Sequence, residues 1–196
     1  MAKRLVAEAD KRQIIVFTHD LVFVNDLNNI SQQECHSVKF ITVNKGRQGA
    51  GIVSDGLPWI AQGVKSRLDK LEKDARAAKN LYDSGADDEY RHQTIRIYDY
   101  LRATWERAIE DIAFSDVVQR HRNYINAKNL RKVTVLNDED CNSFNAGFKK
   151  CSDIVAAHDP SRGRNAEAPS PNEVMQDILA LKNWESSLRD RQKKIM

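Results

Sequence analysis

Two rhythms of apolar and polar positions divide the chain near Gly56-Leu57-Pro58-Trp59. Before that point apolar residues come in short runs. Gln13-Ile14-Ile15-Val16-Phe17-Thr18-His19-Asp20 contains four consecutive apolar residues rich in β-branched types, the pattern of a strand buried on both faces of a parallel sheet. Ser37–Val43 alternates weakly and reads as a second strand, and Asn44–Gly49 as a turn with a basic tip. Ala50–Val53 reads as a third strand pairing back as a hairpin. Ala2–Lys11 has the spacing of an amphipathic helix feeding the first strand. Asp20 stands where an N-cap belongs, ahead of a helix starting at Leu21.

After Trp59 the apolar residues recur at helical spacing among alternating charges. Val64, Leu68 and Leu71 mark a helix over about Ala61–Tyr82, ended by Asp83-Ser84-Gly85-Ala86-Asp87. A longer helix follows over about Asp88–Phe114, with Ile95, Ile97, Tyr98, Leu101, Trp105, Ile109 and Ile112 as its buried side. A bend near Ser115-Asp116 leads into a helix over Val117–Ile125, then a short extended connection over Asn129–Leu136. Asn137 or Asp138 caps a helix over about Glu139–Ala157. A polar loop opened by His158 leads to a last helix over Asn172–Arg191, striped by Val174, Ile178, Leu181, Trp184 and Leu188. The expectation is an α+β chain, mostly α. Residues 1–58 hold a small sheet with strands near 13–18, 37–43 and 50–53, and residues 59–196 form an antiparallel helical bundle.

Composition narrows the class. The chain is 41% hydrophobic and 30% charged with a net charge of +3, so it is mildly basic and local patches matter more than the sum. No apolar run approaches the roughly 18 residues of a membrane span, and the basic first residues lack the apolar stretch of a secretory signal. Cys35, Cys141 and Cys151 form no C-x-x-C pair, so neither zinc nor a disulfide framework is expected. Reduced thiols point to the cytoplasm, and no metal site is assigned.

The octapeptide ending in Thr18-His19-Asp20 resembles the last sheet strand and switch histidine of ABC-type P-loop ATPases, the group of SMC and RecF-like proteins. That resemblance implies that residues 1–58 are the C-terminal remnant of such a core. His19, flanked by Thr18 and Asp20, would then sense the γ-phosphate of ATP. The chain has no G-x-x-x-x-G-K-[ST] loop, no acidic strand end for magnesium and no Ser-Gly-Gly signature. ATP and Mg would therefore belong to the complete ATPase. This chain alone is expected to bind no cofactor and hydrolyse no ATP, and to pair with a missing upstream ATPase half or a homodimer partner.

Leu101-Arg102-x-x-x-Glu106 places an Arg and a Glu four apart on one helix face. With its surroundings it resembles the C-terminal region of ATPases related to bacterial anticodon nucleases, themselves similar to helical HEPN ribonucleases. The resemblance implies metal-free cleavage of RNA such as tRNA, in the setting of phage defence. Arg102 would be the cation, Glu106 an acid or base, and His158 the third member, with His121 as its alternative. Arg120, Arg122, Lys128, Arg131, Lys132, Arg162 and Arg164 could hold the RNA phosphates. The plainer account is an ion pair between Arg102 and Glu106 on a solvated face, contributing about 0.3–0.5 kcal/mol. Two functions therefore stand side by side: an ATPase-controlled ribonuclease, or a non-catalytic helical docking or dimerisation module on a truncated ATPase core.

Overall fold

The computed structural model describes residues 1–46, 49–120, 124–157 and 167–195. The fold is α+β and mostly α: seven helices and one two-stranded antiparallel sheet among the described residues. The chain forms two compact units, Met1–Gln62 and Gly63–Met196. The change of sequence rhythm falls four residues earlier, at Pro58.

In the first unit α1 (Ala2–Glu8) packs on α2 (Leu21–Gln33). Asp20 caps α2 as its position implies, its Oδ1 accepting the N–H groups of Val22 at 2.9 Å and Phe23 at 3.3 Å. A side-chain oxygen there satisfies donors that the first helical turn leaves orphaned. β1 (Ile41–Gly46) pairs with β2 (Gly49–Asp55), with Val43 opposite Val53 and Thr42 opposite Ser54. The register slips between Asn44 and Lys45, and Gly51 takes the positive φ of 102° there, a conformation glycine adopts without penalty. The polar face of this hairpin is tied together by Asn44, Ser54 and Thr42. Its other face carries Ile41, Val43 and Val53, all exposed.

The expected buried strand at 13–18 is absent. Residues 13–20 have no regular structure, and Ile15 and Phe17 are 70% and 93% exposed. Four β-branched or aromatic residues favour extended backbone, but a strand exists only through its ladder hydrogen bonds. Both sheet strands of this unit pair with each other and leave this run outside the sheet.

The second unit is an antiparallel four-helix bundle of α3 (Val64–Asp83), α4 (Asp87–Ala108), α6 (Asp138–Ala157) and α7 (Pro171–Lys193). The stripes read from spacing form its core, except that Ile95 and Ile109 of the long helix are only half-buried. Val64, Leu68, Leu71, Ile97, Tyr98, Leu101, Trp105 and Ile112 are buried, as are Val174, Ile178, Leu181, Trp184 and Leu188. Fully burying one such side chain contributes about 1.5–3 kcal/mol, so these stripes account for the bundle. α6 opens with a reciprocal cap, Asn137 Oδ1 accepting from Asp140 N–H and Asp140 Oδ2 from Asn137 N–H, both at 3.0 Å. α7 opens with Pro171 behind Ser170, whose hydroxyl accepts from Glu173 N–H.

At its centre the Trp105 indole meets Phe144 and Trp184 edge-on, with centroids 5.8 and 5.6 Å away. Gly147 of α6 lies flat against the same ring. A Cβ there would come within 2.5 Å of it.

Beyond α4 the helix widens. Ile109–Ala113 forms a π turn, with Phe114 N–H donating to Ile109 C=O at 2.8 Å. Ser115 and Asp116 then take positive φ of 47° and 59°, which costs about 1–3 kcal/mol each for residues with a Cβ. The expected helix over Val117–Ile125 therefore does not form in its described parts, because two left-handed residues turn the chain out of the helical path. The expected extended connection over Asn129–Leu136 is helical instead: a 3-10 turn (Ala127–Asn129) runs into α5 (Leu130–Val133).

Gly147→Ala tests the packing at Trp105. Alanine normally favours a helix interior by about 1 kcal/mol over glycine, but overpacking a rigid ring costs about 1–3 kcal/mol. The variant should unfold at lower urea concentration than the parent. A rise in the midpoint would show that the ring yields.

Candidate functional site

The end of α4 gathers more charge than any other buried part of the described bundle. Arg107 reaches Asp111 at 2.9 Å and Glu110 at 3.6 Å. Arg120, arriving after the bend, pairs with Glu110 and lies 3.7 Å from Glu106. Gln119 donates to Asp111 at 3.4 Å and also to Asp116. From α3, buried Arg67 donates to the Ala103 carbonyl at 3.0 Å. From α7, buried Gln192 donates to the Ile112 carbonyl at 2.7 Å, satisfying the π turn.

Burial dominates the electrostatics. It lowers the Arg67 pKa to about 10, with the Arg107 charge adding to the effect. It raises the Asp111 carboxyl, helped by Asp116 and opposed by Arg107 and the Val64 N–H. Charges withdrawn from water cost several kcal/mol each unless paired, in order-of-magnitude terms. This network is therefore what holds two strained residues in a fixed bend. Glu106 and Arg120, with side chains 40% and 59% exposed, are its solvent-facing members.

The Arg102 side chain turns to Asp99 at 3.1 Å, and Glu106 turns to Arg120. The two share a helix face but not a contact, so the ion pair of the plainer account is not formed. His121 and His158 lie outside the described residues, as do Arg122, Arg162 and Arg164. Lys128, Arg131 and Lys132 stand together on the short helical run after the bend. In the first unit Thr18 Oγ1 accepts Asp20 N–H at 3.0 Å and Asp20 caps α2, while His19 is exposed. Two of the three expected ATP-sensing side chains thus fix the entry of a helix.

A second polar group joins α4, α6 and α7. Tyr98 donates to Asp177 at 2.5 Å, and Lys150 bridges Asp177 at 2.7 Å and Glu173 at 2.8 Å. This group borders a cleft of about 540 Å³ lined from α6 and α7, with Trp105, Trp184 and the Arg191–Asp140 pair also in its lining. Of the first group, sequence reasoning names Glu106 and Arg120 as site residues but none of the buried side chains they join; of the second it names none as such. Arg67 carried a readable signal, since it falls on the apolar stripe of α3 between Val64 and Leu71. Arg107, with acids three and four residues on, carried another.

No three His, Cys, Asp or Glu side chains converge as metal ligands among the described residues, and none of their helices is long and apolar enough to cross a membrane. Comparison of the chain with family models, curated proteins and solved structures finds no match.

The cysteines offer a direct check of this geometry. Cys151 is buried beside Asp177, and burial with that carboxylate raises its thiol pKa to about 12, whereas Cys35 and Cys141 are exposed. Two thiols per folded chain should react with a disulfide reagent at mildly alkaline pH. The third should react only on unfolding, and Cys151→Ala should remove that slow phase alone.

Proposed function

We propose that this chain is a docking module, a helical bundle joined to a β-completing segment that adds to the nucleotide-binding sheet of an ABC-type ATPase half in the cytoplasm. The observation that carries this reading is the exposure of Ile15 and Phe17 in a run with strand-type sequence and no ladder. An exposed run of strand-type sequence outside any sheet is a template for strand addition. The bare face of Ile41, Val43 and Val53 lies in the same unit. In this reading ATP and Mg are held by the ATPase half, and strand addition brings His19 to the sheet's carboxyl edge, where open α/β sheets bind ligands. The helical unit binds and positions; it does not cut.

Sedimentation velocity tests this reading. The chain should self-associate as concentration rises, through Ile14–Phe17. Ile15→Lys with Phe17→Lys should abolish that association and leave the melting of the bundle unchanged. A wild-type chain that stays monomeric throughout the range overturns the reading.

The juxtaposition of Glu106 and Arg120 favours one second reading, metal-free RNA cleavage. His121 directly follows Arg120 in the chain. A carboxylate beside a guanidinium can take the ribose 2′-hydroxyl proton and offset charge on the phosphorane. Incubation of tRNA with the chain in chelator decides between the two. Docking predicts intact tRNA, and cleavage predicts discrete fragments that Glu106→Gln and Arg120→Ala each remove.

A further inference from the structure

From Val117 to Asn137 the chain has no Asp or Glu, yet Arg120, Lys128, Arg131 and Lys132 all fall there. Basic and acidic residues are nearly balanced overall, 31 against 28, so a run without acids concentrates positive charge locally. Lys128, Arg131 and Lys132 stand at positions i, i+3 and i+4 of the helical run from Ala127 to Val133, which places them on one face. They make no ion pair among the described residues. By contrast Lys70 and Lys79 of α3 and Arg189 of α7 each pair with an acid on their own helix.

The run is firmly mounted. Asn126 N–H donates to the Val117 carbonyl and Asn129 Nδ2 to the Ser115 carbonyl, both at 2.9 Å. Both acceptors belong to the bend that the buried ionic network fixes. Four residues before Lys128 in the chain, Tyr124 is 59% exposed.

We propose that this face binds the phosphate backbone of a single-stranded nucleic acid, with the Tyr124 ring as a stacking surface for one base. Unpaired cations on a fixed mount meet phosphates without first breaking internal ion pairs, and they release condensed counterions on binding. An exposed aromatic close in the chain to such cations is the combination that holds single strands irrespective of sequence. The face is one or two helical turns long, too short to span the successive grooves by which duplex RNA is recognised. The proposal stands apart from the docking reading, since it concerns the second unit alone.

The test is fluorescence anisotropy of a labelled oligouridylate titrated with the full chain at several salt concentrations. Each variant is first matched to wild type by circular dichroism. The triple variant Lys128→Glu, Arg131→Glu, Lys132→Glu should lose about tenfold or more in affinity. Its slope of log affinity against log salt should shrink by about 2, because each phosphate contact on a single strand contributes about 0.7. Tyr124→Ala should weaken binding and Tyr124→Phe should preserve it. A second triple variant, Lys65→Glu, Lys73→Glu, Lys194→Glu, has the same net charge and should stay close to wild type. Equal loss in the two triple variants, no binding by wild type, or tighter binding of a labelled polyglutamate peptide than of the RNA would each overturn the proposal.

Discussion

Three helices of the second unit meet at one ring. The Trp105 indole of α4 lies under Gly147 of α6 and against Trp184 of α7. Trp184 in turn donates its indole N–H to the Asp140 carbonyl at the start of α6, at 3.1 Å. Aromatic pairs in this edge-on geometry add about 0.5–1.5 kcal/mol beyond the area they bury. The approach also fixes the level of α4 relative to its neighbours. Everything beyond Trp105 depends on that level: the π turn, the bend at Ser115 and Asp116, and the cationic run fastened to it.

The bend shows how burial and strain balance. Two non-glycine residues in left-handed backbone cost about 1–3 kcal/mol each. Arg67, Arg107, Glu110, Asp111 and Arg120 form the network that holds them. Breaking one buried pair of such a network leaves an uncompensated charge and costs about 3–5 kcal/mol, more than relaxing either strained residue returns. A π turn at a helix end often accompanies a functional site. Here it precedes the bend to which Asn126 and Asn129, at the start of the cationic helical run, are fastened.

What the sequence made legible follows from which forces are local. The stripes Val64-Leu68-Leu71 and Val174-Ile178-Leu181-Trp184-Leu188 are periodic, and every member is buried. Asp20 and Asn137 cap because a side-chain oxygen needs only its own next few residues. The run at Gln13–Phe17 misled because its residue types specify extended backbone, while strand formation requires a second chain segment alongside. Val117–Ile125 misled because helical spacing carries no information about a left-handed turn just before it. Arg102 and Glu106 share a face as their spacing requires. Their partners, Asp99 and Arg120, were decided by rotamer and by the bend.

The account turns on whether the strand-type run in the first unit lacks a partner within its own chain. Hydrogen exchange read by mass spectrometry addresses this peptide by peptide. The amides of Ile14–Phe17 should exchange as fast as in an unfolded chain, while those of α4 and α7 near Trp105 and Trp184 are protected up to global unfolding. Slow exchange across Ile14–Phe17 in monomeric protein would mean that a ladder already covers this run, and would contradict the claim that it waits for the sheet of another body.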